Sequence, residues 1–302
     1  MCGIVGLYLK NPSLHDEIGK LFAPMMVAMT NRGPDSAGFA VYGDEVSEGI
    51  KLTLQHEEAD YLWHELQAEL ESTYGGAVQM DVYSEAGAAV LKINASEEGI
   101  RSYLETNHPE VSVMSVGVSI EILKGMGLPE DVITRFGLAG MKGSHIIGHT
   151  RMATESAVTT EGSHPFTTGM DLCLAHNGSL SNHNRLRVEL QREGIHFNTE
   201  NDSEVAAGYL TWRLQEGDTL KQALESSLDV LDGFFTFVVG TQNGFAVIRD
   251  PIACKPAVMA ETDDYVAFAS EYHALADLPG IENAKLWEPE PATVYSWGGD
   301  AE

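Results

Sequence analysis

The chain opens Met1-Cys2-Gly3-Ile4-Val5-Gly6-Leu7-Tyr8-Leu9. Ile4 to Leu9 is an apolar run of strand length that starts almost at the terminus. A residue as small as Cys at position two lets the initiator Met be trimmed, and Cys2 then carries both a thiol and a free α-amine. An α-amine titrates at about pH 8, so a neutral fraction exists at physiological pH. It can act as general base for its own thiol, directly or through one water. Gly3 lets a bound molecule approach the backbone closely. Taken alone, Cys2 fits a buried cysteine at the head of a strand better than it fits a nucleophile.

Outward from this strand, Leu14 to Met29 has helical spacing, with Ser13 as N-cap and Asp16 as the acidic half of a capping box. Gly33-Pro34-Asp35 breaks the pattern, and Ala37 to Tyr42 reads as a second strand. Residues 51–142 differ in character. Glu57 to Glu71 has helical spacing and a heavy acidic load, Gly87 to Ile93 reads as a strand, and Ser96 to Glu105 reads as a helix. Val111 to Gly117 is β-branched, and Leu128-Pro129-Glu130 opens a short helix with Pro in its first turn. This block is expected to be a small αβ insertion within one domain covering 2–302, and it holds no catalytic motif.

From Ser144 the chain is dense in signals. Ile146 and Ile147 precede Gly148-His149-Thr150-Arg151. Leu172 to Ala175 reads as a strand running into His176-Asn177-Gly178, whose Asn-Gly pair signals a turn. Helices are expected over Asn182 to Arg192, Asp202 to Gln215 and Thr219 to Leu228. Short apolar runs follow at Phe234 to Val239, Phe245 to Ile248, Ala257 to Ala260, Tyr265 to Ala269 and Thr293 to Trp297, the pattern of an antiparallel sheet. Strands at both ends with helices between them predict a layered α+β fold.

Composition narrows the function classes. With 43% hydrophobic residues among 302, a sizeable core can be buried. No apolar stretch of about 18 residues exists to span a membrane. A signal peptide is not expected either, since no basic region leads into an apolar run. Lys plus Arg is 18 against 45 Asp plus Glu, and a formal charge of −27 repels nucleic acid and anionic membranes. Solubility explains such a charge, and a basic partner subunit is the sharper alternative. Cys2, Cys173 and Cys254 are too few and too scattered for a disulfide framework or a zinc ribbon, which fits a reducing cytoplasm. His145, His149, His164, His176 and His183 match no common zinc spacing, so no metal is expected.

Five segments follow Cys2 in order: Asn31-Arg32-Gly33-Pro34-Asp35-Ser36, Gly148-His149-Thr150-Arg151, Ser163-His164-Pro165-Phe166, His176-Asn177-Gly178 and Glu200-Asn201-Asp202-Ser203-Glu204. Together with Cys2 they resemble the class II glutamine amidotransferases, which are N-terminal-nucleophile hydrolases. Asp250-Pro251, Lys255-Pro256 and Ala269-Ser270-Glu271 resemble the later part of that domain. The resemblance implies a four-layer αββα sandwich of two antiparallel sheets and glutamine hydrolysis through a Cys2 thioester.

Each segment has a physical job in that chemistry. Arg151 can pair bidentately with the glutamine α-carboxylate, and Asp202 can hold its ammonium. The Asn177 amide and the Gly178 N–H suit the oxyanion, worth roughly 3 kcal/mol per donor. By resemblance, Thr154 and His164 line the glutamine pocket, and Arg32 with its turn closes over the thioester. Plainer readings stand beside these. Arg151 fits a surface ion pair, Asn177-Gly178 a hairpin turn, Asp202 a helix N-cap, and Cys254-Lys255 a turn. Met152 stands where many relatives carry Trp.

No G-x-G-x-x-G, Walker loop or iron–sulfur cysteine cluster appears, so an ammonia acceptor is expected on another polypeptide. Glu121 to Gly137, Arg151 to Ser156 and Ala253-Cys254-Lys255-Pro256 resemble stand-alone amidotransferase subunits of glutamate-synthase-like systems, including N-methylglutamate synthase of methylamine-using bacteria. That resemblance implies a β-helical subunit and an FMN-binding synthase subunit as partners. FMN and iron–sulfur are expected there, and no cofactor on this chain. The alternatives are a catalytically silent structural subunit and an N-terminal-nucleophile hydrolase acting on another amide.

Overall fold

The computed structural model describes residues 2–76, 78–152 and 158–299. β1 spans Gly3–Leu9 and is buried except at half-buried Tyr8. An apolar run without alternation needs cover on both faces, and this strand has it. α1 (Ile18–Ala28) and β2 (Ser36–Tyr42) follow. The helix expected from Leu14 begins late. Residues Pro12–Glu17 form a 3-10 turn, and Asn11 Oδ1 accepts from Ser13 N at 3.1 Å. Ser13 is thus the capped residue and Asn11 the cap.

Next comes a separate sheet. β3 (Ile50–Gln55), α2 (Trp63–Tyr74), β4 (Gln79–Tyr83), β5 (Ala88–Ile93), α3 (Glu97–Asn107) and β6 (Ser112–Gly117) form the antiparallel order β4-β5-β3-β6 under two helices. Trp63, Leu66, Leu70, Ile100 and Leu104 pack on Leu52, Leu54 and Leu91 as a core of their own. β7 (Ile120–Met126) leaves this unit and pairs with β2. α4 (Pro129–Arg135) joins the core around α1 through Val132 and Ile133. The block 51–142 therefore divides after Gly117. Asp171 pins the crossing point: its carboxylate accepts from Val118 N, Ser119 N and Ile120 N at 2.7, 2.9 and 3.0 Å.

β8 (His145–Arg151) lies between β1 and β2. β9 (Cys173–Leu180), α5 (His183–Arg192), α6 (Asp202–Gln215), α7 (Leu220–Val230), β10 (Gly233–Gly240) and β11 (Gly244–Arg249) come next. β12 (Val258–Glu261), β13 (Tyr265–Ala269), β14 (Lys285–Trp287) and β15 (Val294–Gly298) complete the chain. Two sheets result, of order β14-β12-β13-β1-β8-β2-β7 and β15-β11-β10-β9. Ile4, Ile147, Ala175, Val238 and Phe245 fill the space between them. α1 and α4 cover the outer face of the larger sheet. α5, α6 and α7 cover the outer face of the smaller one through Leu186, Val205 and Leu224. The layers run αββα.

β9 corrects the expected turn. The strand continues through His176, Asn177 and Gly178, with Asn177 opposite Thr236 and Gly178 opposite Phe235. Glycine is needed there for space: a Cβ at position 178 would lie 2.0 Å from Phe234 O. Cross-strand pairing with β10 overrides the local turn preference of Asn-Gly.

Candidate active site

Strand alternation decides which side chains reach the space between the sheets. Ile4 of β1, Ile147 of β8 and Ala175 of β9 all face it. Two residues along each strand, or one before its start, the same side carries Cys2, His149 and Asn177, and Arg151 beyond His149. The filling between the sheets is apolar in the middle and polar at this end.

Cys2 is half-buried. Its carbonyl oxygen accepts from Arg32 Nε at 2.8 Å and from Asn177 Nδ2 at 3.3 Å. Arg32 Nη1 is in turn held by Glu271 Oε1 at 2.7 Å. Ser270, beside Glu271, clamps β1: Ile4 N donates to Ser270 Oγ, and Ser270 N to Ile4 O, both at 2.9 Å. Ser270 and Glu271 had no role read from the sequence beyond the Ala269-Ser270-Glu271 match, and that tripeptide was the signal available.

Arg151 ends β8 opposite Ser36, one step past the Thr150–Gly3 pair, and is buried. Gly33 sits so close to this strand that a Cβ on it would lie 2.3 Å from the Thr150 carbonyl carbon. Thr154 lies outside the described residues. Asp202 is the first residue of α6 and not its cap. Asn201 is the cap, accepting from Ser203 N at 2.9 Å. The Asp202 carboxylate is used otherwise: Oδ2 accepts from Leu180 N at 2.8 Å, which ties α6 to β9 two residues beyond Gly178.

Three histidines back this arrangement. His164, followed by a cis proline, stacks on His149 with ring centroids 4.0 Å apart. His149 Nε2 lies 3.1 Å from the His176 carbonyl oxygen. His164 Nε2 and His176 Nδ1 each lie 2.8 Å from Ser203 Oγ. Burial pushes His149 down to about 3 and His176 to about 4, although Asp202 pulls His176 upward. Burial, then the neighbouring rings and cations, holds His164 well below its ordinary value. All three are neutral at pH 7. Cavities of about 1030 and 320 Å³ open between α3 and the loops before β9 and α6. Neither is lined by Cys2, Arg151 or Asn177, so the candidate site rests on side-chain convergence and not on cavity size.

A family model described as a glutamine amidotransferase domain matches residues 149–277. The glutamine amidotransferase-like protein GlxB of Rhizobium meliloti is 56% identical over 298 residues, covering 98% of each chain. This chain belongs to the class II glutamine amidotransferases. An amidophosphoribosyltransferase of Archaeoglobus fulgidus is 33% identical over 179 residues, 58% of this chain and 39% of that protein. Among solved structures, glutamine phosphoribosylpyrophosphate amidotransferase from B. subtilis superposes with a TM-score of 0.62 at 22% identity. The superposition covers 99% of this amidotransferase and 48% of that chain, so the two share a fold. No helix among the described residues is long and apolar enough to cross a membrane.

Proposed function

We propose that this chain is the glutaminase half of a multi-subunit synthase, with Cys2 as nucleophile after removal of Met1. The thiolate attacks the side-chain amide carbon of glutamine, and its proton passes through the α-amine to the leaving nitrogen. Ammonia departs as the C–N bond breaks and a thioester forms. Water then cleaves the thioester, releasing glutamate and restoring the thiol. Asn177 and Gly178 stabilise the oxyanion. Arg151 holds the substrate carboxylate and Asp202 its ammonium. Thr154 and His164 line the pocket, and Arg32 with its turn covers the thioester.

The observation that carries this reading is the convergence on the Cys2 carbonyl. Arg32 and Asn177, from segments on opposite sides of the sandwich, hold the backbone of one half-buried cysteine. Both donors act on the backbone from which the thiol projects, and neither binds the thiol itself. A diazoketone analogue of glutamine tests it: one adduct on Cys2 is expected, with the exposed Cys254 untouched. Labelling of Cys254 alone, or an intact mass that retains Met1, would defeat the mechanism.

The ammonia acceptor in this reading is a separate FMN-dependent subunit of glutamate-synthase or N-methylglutamate-synthase type, accompanied by a β-helical subunit. The resemblance in Glu121 to Gly137 and Ala253 to Pro256 supports it, as does the lack of a nucleotide-binding glycine loop in the sequence. A reducing cytoplasm suits the free thiols. Native pull-down with mass spectrometry is expected to recover the FMN-binding partner. A lone homo-oligomer with full glutaminase activity would count against the partner.

A further inference from the structure

Ser203 Oγ sits among three polar atoms. It lies 2.8 Å from His164 Nε2, 2.8 Å from His176 Nδ1 and 3.4 Å from Asp202 Oδ1. The residue is 1% exposed. A hydroxyl has one proton to give and two lone pairs to receive with. Only one of the three contacts is therefore a donation by Ser203.

Three assignments exist. If Ser203 donates to His164 Nε2, the neutral His164 ring carries its own proton on Nδ1, which is buried and has no partner. If Ser203 donates to His176 Nδ1, that ring carries its proton on Nε2, which is likewise buried without a partner. Each choice orphans a buried N–H, which is rarer in folded proteins than an idle lone pair. In the third assignment both rings donate to Ser203, and its hydroxyl donates to Asp202 Oδ1. The unpartnered His164 Nδ1 and His176 Nε2 are then bare lone pairs. This choice also turns the His176 Nδ1–H toward Asp202 Oδ1, 3.9 Å away, where a lone pair would be repelled. His149 follows the same logic. Its Nε2 meets a carbonyl and must carry the proton, leaving its unpartnered Nδ1 bare.

We propose that Ser203 is the positioning residue of the substrate-amine anchor: it receives from His164 and His176 and directs its single proton at Asp202. Asp202 Oδ1 is then held by Ser203 and Oδ2 by the Leu180 amide. The carboxylate plane is fixed from both sides, and its remaining lone pairs face one ligand geometry. Ser203 thereby sets the preference for a substrate bearing an α-ammonium. This rests on the reading of Asp202 as the ammonium site.

Two measurements test the proposal on the full chain. Nitrogen-15 histidine NMR of the wild type at neutral pH is expected to show His149 and His164 as Nε2–H tautomers and His176 as Nδ1–H. Nε2–H at His176, or Nδ1–H at His164, overturns the assignment. Kinetically, Ser203→Ala is expected to lower kcat/KM for L-glutamine about 10- to 100-fold, chiefly through KM. Against 4-carbamoylbutanoate, which lacks the α-amine, the loss should stay below about 3-fold, and Ser203→Thr should restore discrimination. Equal losses on both substrates would reduce Ser203 to a packing residue and overturn the proposal. A wild type without glutaminase activity would sink the glutamine reading instead, and the tautomers would still decide the hydrogen-bond assignment, as they would if Ser203→Ala failed to fold.

Discussion

The sheet of residues 50–117 and the open end of the sandwich fill their interiors in opposite ways. The first buries Trp63, Leu66, Leu70, Ile100 and Leu104, and turns Glu65, Glu69, Glu71, Glu98 and Glu105 outward. The second buries His149, Arg151, His164, His176, Asn177 and Ser203, where the sheets elsewhere bury Ile, Ala, Val and Phe. Apolar filling gives stability that any well-packed hydrophobe could supply. Polar filling gives less net stability, because each buried group must first lose its water. What it gives is fixed geometry.

The contrast predicts that the two regions fail differently. Cys2→Ala should cut glutamate release at least about 10³-fold. Its unfolding free energy should stay within about 0.5 kcal/mol of wild type, since Arg32 and Asn177 hold the backbone carbonyl and not the thiol. Leu70→Ala should do the reverse. It removes a fully buried side chain from the separate core and should cost about 3 kcal/mol in urea unfolding. Glutaminase kcat measured well below the melting point should stay within about twofold. A large loss of kcat there would break the comparison and show that the inserted sheet acts on the site.

Asn177→Ala should lower kcat about 10²-fold, near 3 kcal/mol, with a smaller effect on KM. Acid should sharpen the contrast further. His145, His149 and His176 have folded-state values of about 3, 3 and 4, below the ordinary value, because burial disfavours their charged form. Below pH 6.5 the unfolded chain therefore binds protons that the folded chain refuses. Stability is fully present above about 6.5 and falls as pH drops toward 4, by up to about 1.4 kcal/mol per pH unit for each such histidine. Urea midpoints at pH 7.5 and 5.0 check this. Leu70→Ala should lower both midpoints together, and a pH-independent midpoint in the wild type would contradict the neutral histidine cluster.

Much of the architecture was legible because it follows from short periods. The apolar run Ile4 to Leu9 became a central strand. Ser96 caps α3 through Gly99 N, and Thr219 caps α7 in a full capping box. The failures are as informative. Asn177-Gly178 carries a turn signal that eight paired positions of a facing strand can override, and β10 pairs along the whole of β9. Asp202 looked like a cap because Asp commonly caps, but Asn201 precedes it and does the same job. Lys124 carried no signal at all. It is a buried cation on β7 that donates to the carbonyls of Glu161, Ser163 and Pro165 and so holds the loop bearing His164. Burial lowers it to about 8.

The sequence by itself carried the family resemblance, because Cys2, Arg151, Asn177 and Asp202 and their order along the chain are written in it. It also placed strands at Ile4 to Leu9 and Leu172 to Ala175, because their apolar runs are local. Only the tertiary structure decided who meets whom. Ser203 reaches His176 across 27 residues and His164 across 39, and Arg32 reaches Glu271 across 239. Such partners are set by sheet order and by how α6 lies on β9, and no local period encodes either.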